Sequence, residues 1–179
     1  MAAIEDASNS STTRCKPQLY LLITNISKRA NIRSLLLEAA AFDVSHVLVV
    51  GQPTFDFTIS GADVPVQLHE AMEAQRFHIE RFPSWKDCLD FLKENGIQLI
   101  GVEIHPEAVS LEDVTTFHQS TALLMGNEGQ GLNEKQMKAC DGFVRIPQFG
   151  GGTASLNVAV AASLVLHHYH QLQQRGMLG

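Results

Sequence analysis

The chain has 179 residues, 45% of them hydrophobic and 18% charged, which fits one globular domain with its own core and excludes a disordered, collagen-like or coiled-coil chain. A formal net charge of −6 argues against a uniformly basic nucleic-acid-binding surface. Three scattered cysteines, Cys15, Cys88 and Cys140, lack Cys-x-x-Cys spacing and indicate neither a disulfide framework nor a zinc site.

Residues Met1–Lys16 are rich in Ser and Thr, show no hydrophobic periodicity and read as a disordered tail, leaving 17–179 as a single domain. The tail has no apolar signal core, and Glu5 and Asp6 count against a transit peptide, so the expected compartment is the cytosol, with the nucleus as the alternative. A strand is predicted at Gln18–Thr24, a helix at Asn31–Phe42 and a strand at His46–Val50, followed by a looser stretch through Pro53 and Pro65. Next come a strand at Phe77–Arg81, a helix at Trp85–Asn95 stopped by Gly96, a strand at Ile97–Ile104 and a strand at Ala122–Met125. A short helix at Asn133–Cys140, a strand at Phe143–Ile146 and a final helix from Thr153 to Gln174 close the chain. Strands alternating with helices predict an α/β fold, a mostly parallel sheet flanked by helices.

The apolar segment Ala154–Leu166 is shorter than the ~18 residues of a membrane span and carries Ser155, Asn157 and Ser163, so no membrane partner is expected. In its first half the final helix has almost no polar face, which predicts burial on all sides and a second subunit over the face that the sheet leaves uncovered. Charge is segregated. Arg14, Lys16, Lys28, Arg29 and Arg33 fall in a stretch without acids between Asp6 and Glu38, whereas Glu38–Asp113 holds 14 acids against four bases.

Two segments depart from scaffold sequence. In the first, Leu123–Leu132, an apolar strand runs into Gly126, Asn127, Glu128, Gly129, Gln130 and Gly131, a glycine density that lets backbone approach a ligand at a strand's carboxyl end. The spacing G-x-x-G-x-G is not the dinucleotide fingerprint G-x-G-x-x-G. In the second, Arg145–Leu164, Pro147 ends a strand, Gly150–Gly152 free the backbone and Thr153 or Ser155 is expected to cap the final helix. Asn157, a poor helix former among apolar neighbours, calls for a tertiary hydrogen bond or a contact in a site.

The sequence GNEGQGL followed by IPQFGGGTASLNVAVAASL resembles the second and third motifs of the SpoU family, in the SPOUT class of S-adenosylmethionine-dependent RNA 2′-O-ribose methyltransferases. Gln148 stands where the third motif usually has Met, and Ala159 where it has its second Ser. The resemblance covers Gln18 to Gln174 and implies a C-terminal trefoil knot, a homodimer and RNA as partner, tRNA first and rRNA second, with an accessory protein as a further partner to consider. It implies a methyl donor, S-adenosylmethionine, held by three loops, and by position it assigns Val102, Glu103, Gly126, Ile146, Ser155 and Leu156 to the cofactor. Glu128 and Asn157 are the motif polar groups that would shape the pocket or meet the RNA.

The family's first motif, approximately N-x-G-A-I-x-R-T-A-x-A-F-G, is matched by Asn31, Ala39, Ala41 and Phe42, but its arginine position holds Leu37. That arginine is credited with activating the ribose hydroxyl. Arg33, one helical turn earlier on the same face, is either its substitute, with Lys28 and Arg29 beside it for RNA, or an ordinary solvated helix arginine. The alternative is a SpoU-like module that binds cofactor and RNA or a partner subunit without transferring methyl. His167, His168 and His170 offer no third ligand at metal-binding spacing, Cys140 has no neighbour to activate it, and Trp85 is read as a packing residue at a helix start.

Overall fold

The computed structural model describes residues 17–115, 119–127, 129–151 and 155–175. The tail Met1–Lys16, Glu128 and Thr153 lie outside the described residues. Seven strands form one sheet in the order β3-β2-β1-β6-β4-β7-β5, every neighbouring pair parallel: β1 Leu19–Thr24, β2 His46–Val50, β3 His78–Phe82, β4 Gln98–Val102, β5 Val109–Ser110, β6 Thr121–Met125 and β7 Gly142–Arg145. The helices are α1 Arg29–Ala41, α2 His69–Glu73, α3 Trp85–Glu94, α4 Glu134–Ala139 and α5 Val158–Gln174.

Alternation along the strands divides the core in two. Leu21 and Ile23 of β1, Val47 and Val49 of β2, and Leu123 and Met125 of β6 point to one face and pack with Leu35, Leu36 and Ala39 of α1 and Ala162, Val165 and Leu166 of α5. Leu22, Leu48, Ala122 and Leu124 point to the other, against Cys88 and Leu92 of α3. All five residues of β6 are buried, as a central strand covered on both faces requires. Helix starts follow their caps: Ser84 accepts from Asp87 N in a capping box before α3, and Asn133 forms another with Gln136 before α4. Gly96, at φ +62°, ends the α3 turn as expected.

Three expectations are corrected. The final helix begins at Val158, not Thr153, because Asn157 caps it through Oδ1 and Ser155 lies outside it. The strand expected to run to Ile104 stops at Val102, where the next carboxylate turns to bind backbone. The stretch through Pro53 and Pro65 is a folded loop that buries Phe55, Phe57 and Val64, and a 3₁₀ turn, Val66–Leu68, then leads into α2. Within the single chain, Val158, Ala162 and Val165 of α5 face the core, while Val160 and Leu164, on the face expected to meet a second subunit, stand 48% and 42% exposed.

Candidate functional site

A cavity of about 310 Å³ opens where β4, β6 and β7 end, at Val102, Met125 and Arg145. The carboxyl ends of parallel strands are where open α/β sheets bind ligands. Val102, Glu103, Gly126, Ile146, Ser155 and Leu156, assigned above to three different loops, all line it. Apolar side chains such as Met125, Val158 and Ala161 share the lining with loop backbone and with the polar groups of Asn127, Arg145 and Gln148.

Glu103 organises the floor. Its backbone N–H donates to Val144 O at 3.0 Å, tying the end of β4 to β7. Its Oε1 accepts from Ile104 N and its Oε2 from Leu132 N, both at 2.9 Å. The glycines fit around this carboxylate: a β-carbon on Gly131 would collide with it, one on Gly126 would lie 3.1 Å from it, and Gly131 also holds φ +65°. The glycine requirement read from the sequence therefore comes from one acid packed under the loop.

Asn127 shapes the rim. Asn127 and Gly131 exchange both backbone hydrogen bonds at 3.0 Å, while Asn127 Oδ1 accepts from Gly129 N and Gln130 N at 2.9 and 3.2 Å. Its Nδ2 donates to Asn25 O at 2.6 Å, fastening the loop after β6 to the left-handed residue that ends β1. Sequence reading passes over Asn127 in favour of Glu128, although an Asn opening a glycine turn is a legible Asx-turn signal.

Asn157 is exposed rather than buried, and it makes the tertiary bond its position called for. Its Oδ1 accepts from Ala159 N at 2.9 Å and Val160 N at 3.4 Å, and its Nδ2 donates to Asn31 Oδ1 at 3.1 Å. Two residues far apart in sequence thus lock the start of α1 to the start of α5, directly after Leu156 of the cavity.

The basic residues do not gather at the cavity. Arg29 pairs with Asp63, which is 1% exposed, at 2.6 Å and lies 5.6 Å over the Phe55 ring. Arg33 Nη1 donates to Ala62 O at 3.0 Å. Both guanidinium groups thus brace the folded loop before α2, and Lys28 sits exposed just ahead of α1. Leu37 is 37% exposed and does not line the cavity.

Elsewhere, burial pushes the thiols of Cys88 and Cys140 up to about 12, so neither is a thiolate near neutral pH. The His168 ring bonds Val114 O at 2.8 Å, and Trp85 opens α3 and packs on the second core cluster. Among the described residues no group of three His, Cys, Asp or Glu is placed to hold a metal, and no helix is long and apolar enough to cross a membrane.

The model of the SpoU rRNA Methylase family matches residues 18–167. A tRNA (guanosine(18)-2′-O)-methyltransferase of Thermus thermophilus is 31% identical over 157 residues, covering 86% of this chain and 74% of its own. A 23S rRNA (guanosine-2′-O-)-methyltransferase of Xanthomonas campestris is 29% identical, over 88% of this chain and 59% of its own. Among solved structures, the SpoU methyltransferase AviRb from Streptomyces viridochromogenes, in complex with the cofactor AdoMet, superposes with a TM-score of 0.71 at 27% identity, covering 90% of this chain and 62% of that one. The chain thus spans less than two thirds of the last two relatives. With its strand order, its glycine-rimmed cavity and its two motifs in sequence, the chain belongs to the SpoU rRNA methylase family.

Proposed function

We propose that this chain is an S-adenosylmethionine-dependent RNA 2′-O-ribose methyltransferase, with tRNA as first substrate and rRNA as second. The observation that carries the reading is the cavity at the ends of β4, β6 and β7, in which the six residues assigned to the cofactor come together from three loops. Its volume of about 310 Å³ lies at the small end of the ~300–1,000 Å³ typical of small-molecule sites. A rim of glycines and an apolar wall would suit a nucleoside cofactor held chiefly through backbone.

When bound, S-adenosylmethionine supplies an electrophilic methyl group. The chain's own residues do the rest. Glu103 fixes the floor through Ile104 and Leu132, Gly126 and Ile146 would offer backbone to the donor's adenine, and Ser155 and Leu156 line the wall that leads into α5. The Asn31–Asn157 bridge holds α1 against this wall and so sets where the first motif meets the donor. Positioning of this kind supplies most of the rate in a direct displacement. Arg33 spends one of its five N–H donors on Ala62, which leaves the others for an RNA phosphate, with Lys28 exposed just ahead of the same helix, whereas Arg29 is engaged with Asp63. The folded path that the family implies is a trefoil knot, with which the position of β6 between β1 and β4 and of β7 between β4 and β5 is compatible.

The active form is a homodimer through the exposed side of α5, where Val160 and Leu164 lie one turn apart. The described cysteines, Cys88 and Cys140, are both free thiols, which fits the reducing cytoplasm. Leu37 favours one second reading, a subunit that binds cofactor and RNA and leaves transfer to an accessory protein. Transfer of labelled methyl to purified tRNA and rRNA decides between the two. Alkali-resistant label at one nucleotide, lost in Arg33→Ala, supports the enzyme. Cofactor binding by calorimetry without transfer to any RNA supports the module, and transfer at the wild-type rate by Arg33→Ala removes Arg33 from the reaction.

A further inference from the structure

Phe149 is 90% exposed, the most exposed of the large apolar side chains described. It directly follows Gln148, which lines the cavity, so the two Cα atoms lie about 3.8 Å apart. Among the described residues the space around the loop is open: a β-carbon built on Gly150 or Gly151 would have none of their atoms within 4 Å. The ring therefore lies outside both core clusters, on the segment that borders the cavity at Gln148, where an aromatic side chain loses the favourable burial it would have inside. Ile104, 61% exposed, lines the same cavity as a second apolar rim.

Arg145, at the end of β7, is the basic residue among the cavity's lining. It is exposed, and among the described residues its guanidinium has neither an ion pair nor a hydrogen-bond partner. In this it differs from Arg29 and Arg33, which are engaged with the loop before α2. An unstacked aromatic face and an uncommitted guanidinium on the one segment Arg145–Phe149, which borders the cavity through Arg145, Ile146 and Gln148, match the two halves of a nucleotide, a base with a π-face and a phosphate that accepts paired N–H bonds. An apolar peptide would use the ring but leave the cation unanswered.

We propose that Phe149 and Arg145 form a two-point clamp for one nucleotide of the RNA substrate, the ring stacking on its base and the guanidinium holding its phosphate beside the methyl-donor cavity. The clamp rests on the reading of the chain as an RNA methyltransferase. It places the charge that Leu37 lacks on β7 instead of α1, directly at the cavity. Because stacking accepts any base, the clamp seats the substrate, and choice of nucleotide falls to other contacts.

The test uses the full chain, unmodified tRNA, and the variants Phe149→Ala, Phe149→Trp and Arg145→Gln. Binding is followed by anisotropy of labelled tRNA at several salt concentrations, and cofactor binding by calorimetry. Phe149→Ala is expected to weaken tRNA binding about tenfold or more with an unchanged salt slope and unchanged cofactor affinity. Arg145→Gln is expected to reduce the slope of log K on log salt by about 0.7–1. Phe149→Trp is expected to bind like wild type and to show emission, beyond that of Trp85, that tRNA quenches.

Wild-type tRNA affinity in Phe149→Ala overturns the clamp, as does emission of the Phe149→Trp protein that stays unchanged on adding tRNA. So does a Phe149→Ala protein that falls from dimer to monomer on sedimentation, since the ring would then face a second copy. Methyl transfer is scored separately. Wild type that binds tRNA with the expected quenching in its Phe149→Trp form but transfers no methyl overturns the enzymatic reading and leaves the clamp standing, whereas transfer with an unchanged KM in both alanine and glutamine variants overturns the clamp alone.

Discussion

At the scale of single residues, the site depends on an acid and a glycine that exclude any larger neighbour. Gly131→Ala forces a left-handed backbone onto alanine, costing about 1–2 kcal/mol, and drives a methyl group into the Glu103 carboxylate. Cofactor affinity should fall further than stability does, because the displaced carboxylate also holds Leu132 and Ile104; calorimetry beside urea unfolding separates the two. Asn157 combines two roles that substitution can divide. Asn157→Ala loses the cap of α5 and the bridge to Asn31 and should cost about 1 kcal/mol or somewhat more. Asn157→Ser keeps a capping oxygen, so it should recover most of the stability while methyl transfer stays low. Equal recovery of both would deny the bridge a part in positioning. The glycines and Asn157 are visible in the sequence as oddities, since each is costly where it stands. Glu103 is not legible there as the acid beneath Gly131, because the two meet only when β4 and β6 lie side by side.

At the scale of elements, periodicity places most strands and helices to within a few residues, because a doubly covered parallel strand such as Thr121–Met125 is apolar throughout and α3 announces itself with Ser84 and Gly96. What it misses is short or locally ambiguous. The two-residue strand Val109–Ser110 carries no pattern, and the loop holding Phe55 and Phe57 is ordered by Arg29 and Arg33 from the preceding helix α1. The packing of α1 on α5 makes a pH prediction. Burial raises the Glu38 carboxyl above its ordinary range, against a smaller opposing effect of the Ser163 hydroxyl, and Glu38 Oε2 has no hydrogen-bond partner among the described residues. Because the folded-state value is the higher one, the unfolded chain releases this proton first, so stability is full below the ordinary carboxylate range and declines as pH rises through the folded-state value. Glu38→Gln should therefore raise the melting temperature at pH 7 and leave it near wild type at pH 4. A gain that is the same at both pH values would show that the charge is not responsible.

For the molecule as a whole, the uncovered side of α5 is the feature that a monomer explains least well. Val160→Asp and Leu164→Asp place charges on positions already 48% and 42% exposed, so an isolated domain should lose at most about 0.5 kcal/mol to each. If the dimer forms there, sedimentation of either variant should show the monomer at concentrations where wild type is paired, with the circular dichroism of the folded chain retained. Dimeric variants would move the subunit contact elsewhere. Apolar patterning suggests this face in advance, but the course of the chain through β6 and β7 lies beyond any local pattern, since strand order follows from which edges are free when each segment arrives.

That order has a consequence for how the protein is made. β1 pairs on one side with β2, which follows within about 25 residues, and on the other with β6, which begins about 100 residues later. At ribosomal speeds of about 5–20 residues per second, the open edge of β1 waits roughly 5–20 seconds for its partner. During that interval Leu21 and Leu22 belong to a half-sheet of β1, β2 and β3 with an unpaired flank, the kind of edge on which chains aggregate. The cavity at the ends of β4, β6 and β7 cannot exist before the last third of the polypeptide has left the ribosome, and yield in the cell should respond to chaperone supply and to synonymous codons that slow or speed the stretch between Val50 and Thr121.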